Sequence, residues 1–402
     1  MVDVLLASQM FYPDIAATAK VMADLAFDIA EHGYSICVVT QNRAYNNPEI
    51  VYPVEDNTGG VSVNRFSVPR MSKNSLAGRV LLSYIVEKRA LGIVKKLDSR
   101  LYMAVSNPPN MALKIARYAS SQGKPFIYIL HDLYPDVLVK TGKLKTTSRI
   151  AKQLRKMSED TFSLSSRIVV LGRDAADYLV KEYSVPDNKI EVITNWGPES
   201  GSKSFSAKSV FRNKYSLEEN FIVLYSGNIG ETAELDILLD CAKLLEGRDD
   251  KIRFVIVGNG RHRDNIEKRS RELSNTIVLD FLPEEEYLQM ISEADCFFVS
   301  LKKDLYGNSV PSKTYYYLSA GKPIVGLLPE NSEVALAIEE NNLGFVCSDY
   351  TPETLKNIIL KLKTSPQLAN EISSSVGRCF EEIYSRKRVT RKYIDLIREV
   401  AK

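Results

Sequence analysis

Residues 300–323 read SLKKDLYGNSVPSKTYYYLSAGKP. They divide into the end of an apolar strand, a Gly/Asn/Ser loop, a helix opening at Val310-Pro311-Ser312-Lys313, and a Gly321-Lys322-Pro323 stop. Strand, loop and helix in that order are the repeating unit of parallel α/β sheets, in which the loop at a strand's carboxyl end feeds a helix whose first N–H groups lack partners. Anions bind at such loops. Ser312 is expected to cap the helix, which puts Lys313 in the first turn, where the macrodipole favours an acid over a cation. An anionic ligand resolves that conflict. The plainer alternative is a lysine extended into water, at a cost of about 0.3 kcal/mol.

The same alternation runs outward in both directions. Before this stretch, short β-branched runs at 2–7, 35–40, 61–66, 101–105, 125–130, 167–171 and 189–193 predict strands. Helical patterns at 18–32, 76–97, 111–121 and 173–183 separate them, with a long basic helix ahead of residue 167. The pattern lapses at residues 195–209, NWGPESGSKSFSAKS, which have a linker's composition. A second series then places strands at 221–226, 252–257, 276–281, 296–299, 324–327 and 344–347, and helical sequence closes the chain. The expected class is α/β, with two Rossmann-like doubly wound domains at 1–200 and 201–385 and a closing helix in 386–402.

A chain of 402 residues with 45% hydrophobic content supports two cores. The net charge of +3 argues against nucleic acid as a partner, since no aromatic platform accompanies the basic residues. Five isolated cysteines, without metal spacing, suit a reducing compartment. The opening VDVLLAS is expected to be a strand rather than a signal peptide, and no apolar run reaches the eighteen or so residues of a membrane span. A cytoplasmic protein, in contact with membrane only at its surface, is the expectation.

Gly, Asn, Ser and charge collect at the predicted strand ends, where ligands of open α/β sheets sit. Gly227-Asn228, Gly258-Asn259-Gly260-Arg261, Phe281-Leu282 and Ser300-Leu301-Lys302-Lys303 occupy these ends in the second half, and Ser106-Asn107 and His131-Asp132 do so in the first. Arg261-His262-Arg263 reads as a second basic helix start beside that of Lys313. A helix N-terminus contributes about 0.3 to 1 kcal/mol to an anion, whereas a cation at about 4 Å and an effective dielectric of about 20 contributes roughly 4 before desolvation. Lys302, Lys303, Lys313 and Arg261 can therefore stand in for a metal. No metal cluster, nucleophile elbow or P-loop is present in the sequence.

His131, at a predicted strand end, reads equally as an orienting hydrogen-bond donor or as a core residue. Residues 140–156 carry seven Lys/Arg and no acid, interleaved with Leu144, Ile150, Ala151, Leu154 and Met157. That is the pattern of a basic amphipathic helix lying on an anionic membrane surface, or of a solvated helix.

Several phrases together resemble the retaining glycosyltransferases of family 4, which have the GT-B fold of two Rossmann-like domains facing a central cleft. They are FYPDIAATAKVMADLAFDIAEHGYSICVVT, SNPPNMALKIARYASSQGKPFIYILHDLYPD, SSRIVVLGRDAADYLVKEYSVPDNKIEVITNW, LYSGNIGETAELDILLDCAKLL, FVIVGNGRHRDNIEK, VPSKTYYYLSAGKPIV and SEVALAIEENNLGFV. Within that family the PSK and SGNIG phrases resemble the subset that builds bacterial surface polysaccharides.

The resemblance implies a UDP-sugar donor of the glucose or N-acetylglucosamine type on the second domain and a lipid-linked or oligosaccharide acceptor on the first. It also implies no cofactor and no metal. Arg261, Lys302, Ser312 and Lys313, with Gly227 and Asn228, would hold the donor diphosphate, while Asn308, Ser309 and Val310 would face the donor sugar. Phe281, Leu282 and Tyr316 would meet the nucleobase and ribose. His131 and Asp132 would be the catalytic pair on the acceptor side, and the closing helix would cross back to the first domain.

The chain also departs from the family. Asn308 and Tyr316 stand where many members have two glutamates, Asn228 and Ala233 where an Arg and a Lys are usual, and Ala16-Ala17 where a glycine pair is usual. A UDP-sugar 2-epimerase on the same fold, and a GT-B subunit without catalysis, are the alternative readings.

Overall fold

The computed structural model describes residues 1–44, 47–70, 76–198, 210–249 and 251–401. The Gly/Ser/Lys-rich residues 199–209 of the expected linker lie outside them. Two compact units emerge: Met1–Leu171 with Ala175–Thr194 and Val389–Lys402, and Gly172–Asp174 with Asn195–Arg388.

Unit 1 carries eight strands among its described residues: β1 (Val2–Ala7), β2 (Ile36–Gln41), β3 (Glu55–Thr58), β4 (Val61–Phe66), β5 (Ser99–Val105), β6 (Phe126–Leu130), β7 (Arg167–Val170) and β8 (Ile190–Val192). They form one sheet in the order β3-β4-β2-β1-β5-β6-β7-β8. Every pairing is parallel except the hairpin β3–β4. Sequence reading missed β3, whose acidic EDNT carries no apolar alternation. Its signal is the Gly59-Gly60 turn, with both φ angles positive (59° and 78°), the geometry that matches the twist of a two-residue hairpin.

Helices cover the faces of this sheet because parallel strands must be crossed over by helices. Val4, Leu5, Leu6, Val38, Val39, Met103 and Ile129 are fully buried at its centre. The last helix, Arg386–Val400, packs Val389, Ile394 and Ile397 into the protein, and from Val389 onward it belongs to unit 1. Arg167 bonds Glu399 there.

The expected long basic helix is two elements. Asp136–Lys140 is a short helix that ends before Gly142, at φ 71°. The chain then turns until Ser148, whose hydroxyl accepts the Ala151 N–H (3.1 Å) and caps the helix Arg149–Leu164. A good N-cap inside the run, preceded by a glycine in the left-handed region, outweighs the helical periodicity on either side.

Unit 2 has β9 (Phe221–Ser226), β10 (Ile252–Val257), β11 (Thr276–Leu279), β12 (Cys296–Ser300), β13 (Ile324–Leu327) and β14 (Gly344–Val346). All are parallel, in the order β11-β10-β9-β12-β13-β14. The order reverses between β9 and β12, and ligands of doubly wound sheets sit at the carboxyl ends of the strands flanking that reversal. β9 is central because FIVLYS is apolar on both faces: Val223, Leu224 and Tyr225 have no exposed surface.

Candidate functional site

The helix Lys313–Ala320 is fixed against the reversal point by its own tyrosines. The Tyr317 ring stacks on Phe297 of β12 (4.1 Å, 4°), and its hydroxyl accepts the Ser226 N–H at the end of β9 (2.7 Å). Gly321, at φ 68°, ends the helix in the left-handed cap that glycine takes without strain. Lys313 lies four residues before Tyr317, on the same helix face, so its side chain is carried to the same strand end. The lysine nitrogen rests 3.5 Å from the centre of the Tyr225 ring. A β-carbon at Gly227 would come within 3.2 Å of the last carbon and the nitrogen of Lys313, and Gly227 has φ 138° besides.

No carboxylate pairs with Lys313 among the described residues. Burial of its ammonium group lowers its pKa from 10.5 to about 7. Other lysines of the chain have acids beside them, as in Lys114–Glu87 (3.0 Å) and Lys214–Glu286 (2.6 Å). Lys313 is thus a desolvated cation at a helix start, with an aromatic face as its neighbour and no counter-ion. An anion supplies what the arrangement lacks.

The loops around it are built on backbone contact. Gly227 donates its N–H to Val257 (2.8 Å), Ile229 to Asn259 (2.9 Å) and His262 to Ile229 (3.0 Å), which stitches the β9 loop to the β10 loop. Gly258, at φ 142°, permits this approach, since a β-carbon there would lie 1.9 Å from the Gly227 carbonyl oxygen. The Asn228 carbonyl accepts the Tyr225 hydroxyl (2.7 Å). Lys302 is tied by its N–H to Thr232 (3.0 Å) and is half-buried.

The Ser312 hydroxyl makes no cap hydrogen bond, contrary to the expected N-cap: its backbone is already helical (φ −60°, ψ −25°), so the side chain is not placed to reach back. Arg261 lies before its helix rather than in it. The helix runs Arg263–Ser270 and has Asp264 in its first turn. The Arg261 guanidinium is exposed, 4.0 Å from Glu231, and His262 Nε2 lies 3.1 Å from the same carboxylate. Arg263 is structural: its guanidinium donates to the Leu279 carbonyl (2.8 Å) and pairs with Asp280 (3.0 Å).

Asn308 is 3% exposed, and neither its Oδ1 nor its Nδ2 has a hydrogen-bond partner. The loop that holds it is anchored on both sides. The Gly307 N–H, at φ 71°, points to Asp174 Oδ2 (3.4 Å), the Asn308 N–H donates to Leu305 (3.0 Å), and the Tyr350 hydroxyl holds the Leu301 carbonyl (2.6 Å). Each unpaired buried polar atom costs about 1–3 kcal/mol, and this anchored loop carries two. Ser309 and Val310 follow, half-buried.

At the end of β11, Phe281 is 66% exposed and Leu282 half-buried. Tyr316 meets Tyr287 edge to face (6.5 Å), and the Tyr287 hydroxyl lies 3.2 Å from Ser226 Oγ. Sequence reading passed over Tyr225, Tyr287 and Tyr317; the YYY at 315–317 held a signal for the last, since Tyr315 and Tyr317 pack inward, while Tyr225, which lies under the lysine, is outside that run.

In unit 1, His131 and Asp132 follow β6. Both backbone N–H groups donate to Ser106 Oγ, a fully buried hydroxyl after β5 (3.1 and 3.2 Å). Burial lowers the His131 pKa to about 4 and raises that of Asp132 to about 6. The imidazole is therefore neutral at pH 7, and its Nε2 is buried without a partner.

No helix among the described residues is long and apolar enough to cross a membrane. Of the basic run, Lys143, Lys145, Arg149 and Lys152 are exposed, as is Ile150 (58%). Arg155 and Lys156 pair with Glu159 and Asp160 (3.1 Å each), and Lys140 lies over Tyr178 (4.4 Å).

Comparison with known proteins gives two adjoining family matches. The model for glycosyl transferases group 1 matches residues 207–376, and that for Glycosyltransferase Family 4 matches residues 18–196. A Pseudomonas aeruginosa protein named as glycosyltransferase WbjE is 26% identical over 332 residues, covering 81% of this chain and 80% of its own length. An Escherichia coli protein named for colanic acid biosynthesis, the glycosyl transferase WcaI, is 29% identical over 226 residues, 54% of this chain and 53% of its own. The crystal structure of Anabaena Alr3699/HepE in complex with UDP and glucose superposes with a TM-score of 0.73 at 13% identity, covering 99% of this chain and 100% of that one.

Proposed function

The chain is a GT-B glycosyltransferase of the family 4 type, and from that premise we propose that it moves a sugar from a UDP-sugar to a lipid-linked or polysaccharide acceptor, with retention of configuration, in surface polysaccharide synthesis. The observation that carries the donor assignment is Lys313, a cation without a counter-ion at the reversal point of the unit 2 sheet. The diphosphate lies against Lys313, Ser312, Gly227 and Asn228, with Lys302 and Arg261 as further cations. Arg261 reaches it by leaving the distant Glu231 contact. Phe281, Leu282 and Tyr316 flank the nucleoside, and Asn308, Ser309 and Val310 face the sugar. As the glycosidic bond breaks, negative charge grows on the leaving diphosphate, where Lys313 stabilises it most, and a leaving phosphate oxygen takes the acceptor's proton. Unit 1 holds the acceptor, with the neutral His131 hydrogen-bonding to a reacting hydroxyl and Asp132 beside it. WcaI's name, with its place in colanic acid synthesis, supports the polysaccharide setting.

Water can serve as a slow acceptor, which makes the stereochemistry measurable without the natural one. Early proton NMR spectra of UDP-glucose with a large amount of enzyme are expected to show α-glucose appearing before mutarotation. First appearance of the β-anomer would rule out retention.

Asn308→Ala is expected to leave UDP affinity within about twofold of the parent while removing any gain in affinity that a UDP-sugar has over UDP, a difference worth about 1–2 kcal/mol per lost hydrogen bond. Titrating both ligands into both proteins by calorimetry checks this, and an equal loss for UDP and UDP-sugar would move Asn308 away from the sugar.

The exposed Lys143, Lys145, Arg149 and Lys152 with Ile150 form the surface that meets anionic lipid, at about 1 kcal/mol per basic residue. Replacing the four cations with Gln is expected to abolish co-sedimentation with phosphatidylglycerol vesicles in low salt, where the parent protein sediments. Parent binding that ignores lipid charge and salt would dismiss this surface.

A further inference from the structure

We propose that Lys313 is a modification site, acylated by acyl phosphates that its own anion site draws in, and that this acylation closes the donor site. The inference rests on the donor assignment above and extends it to a reagent other than the nucleotide sugar. Three features of the structure combine. The lysine nitrogen sits on the Tyr225 ring at 3.5 Å and against Gly227, without an acid to hold its proton, whereas Lys114, Lys156 and Lys214 each have a carboxylate within 3.1 Å. Lys313 is half-buried as a residue. Asn308, on the loop leading to the same helix, keeps both amide atoms unpaired at 3% exposure, a second group built to meet a ligand.

An amine attacks only as its neutral form, and burial makes that form available near neutral pH. A phosphate held where the donor diphosphate is proposed to lie would place the adjoining carbonyl beside the amine, which converts a bimolecular step into a local one. The Lys313 nitrogen lone pair attacks the carbonyl carbon and a C–N bond forms. The C–O bond to phosphate breaks, with its electron pair leaving on inorganic phosphate, and the nitrogen's surplus proton passes to the phosphate or to water. Nothing is oxidised or reduced. The product amide is uncharged and bulkier, and it lies against Gly227, where a single added carbon already meets the lysine end at 3.2 Å. The cation that the diphosphate needs is gone.

The test uses the full chain with acetyl phosphate, followed by digestion and quantitative peptide mass spectrometry, with and without saturating UDP. Lys313 is expected to acetylate at least about 10-fold faster than the exposed Lys303 and Lys152, and UDP to slow it by about the same factor. An N-hydroxysuccinimide acetate control, which lacks the phosphate, is expected to show a smaller preference for Lys313. Acetylated protein is expected to lose UDP-glucose binding. Acetylation of Lys313 no faster than of Lys303, alongside UDP binding that still requires Lys313, overturns the modification alone. Fast acetylation that UDP does not slow and that leaves UDP affinity intact overturns both this proposal and the donor assignment.

Discussion

Lys313→Met is expected to weaken UDP-glucose binding by about 100-fold, or about 2.7 kcal/mol, while the protein stays folded. The pairwise attraction between a cation and a phosphate charge at about 4 Å is roughly 4 kcal/mol at an effective dielectric of about 20. In most sites desolvation of the lysine offsets much of this. Here the amine is already desolvated but largely neutral above its pKa of about 7, so part of the attraction goes to protonating it and about 2.7 kcal/mol remains as affinity. Methionine fills a similar volume against Tyr225, which separates lost charge from lost packing. The sign of the stability effect is opposite. The folded-state pKa of Lys313 lies below its unfolded value, so the folded chain is relatively favoured above about pH 10.5, and that advantage is lost as pH falls through about 7. Lys313→Met should therefore raise the melting temperature at pH 6 to 7 and leave it unchanged near pH 10.5. A variant that binds UDP-glucose like the parent would remove Lys313 from the donor site.

His131→Ala is expected to lower kcat by about 100-fold with the affinity for UDP unchanged, the size of effect usual for a positioned proton-transfer or hydrogen-bonding group. Burial keeps the imidazole neutral down to about pH 4, so across pH 5 to 8 it acts without titrating. Activity should instead fall as pH drops through about 6, where Asp132 takes up its proton, and Asp132→Asn should erase that inflection. The stability signs follow from the same shifts. The raised Asp132 pKa favours the folded state below about 3.8, an advantage lost as pH rises through about 6, so Asp132→Asn should raise the melting temperature at pH 7. Full activity in His131→Ala would place the chemistry elsewhere.

Much of this fold was legible because parallel strands buried on both faces announce themselves as apolar runs, as FIVLYS and the strand before Lys302 do. The α/β class and the two Rossmann-like units followed from that alternation. β3 was not legible, since an acidic edge strand has no buried face to alternate with. The break in the basic run was missed because helical spacing continued through residues 141–148, while the deciding features were local: Gly142 in the left-handed region and Ser148 as a cap.

In the site, the conflict of a lysine in the first helical turn could be read from sequence, but its resolution could not. It depends on Tyr225, 88 residues earlier and brought alongside by the sheet, and on a stack between Tyr317 and Phe297. Arg261 reads as a helix-start cation in one dimension and stands outside the helix in three, sharing Glu231 with His262. Asn308 was visible through a resemblance, as a candidate sugar contact and as a departure from the usual glutamate. Its two unpaired amide atoms are a property of the folded loop.

The measurement that bears most directly on Lys313 as the diphosphate's cation is calorimetric titration of UDP-glucose at pH 8 in two buffers of different ionisation enthalpy. UDP-glucose has no group that titrates near that pH, so any proton taken up belongs to the protein. With its pKa lowered by burial to about 7, Lys313 is mostly neutral at pH 8 and must gain a proton to meet the diphosphate. The account predicts uptake close to one proton in the parent protein and none in Lys313→Met. Binding without proton uptake, or the same uptake in both proteins, would contradict it.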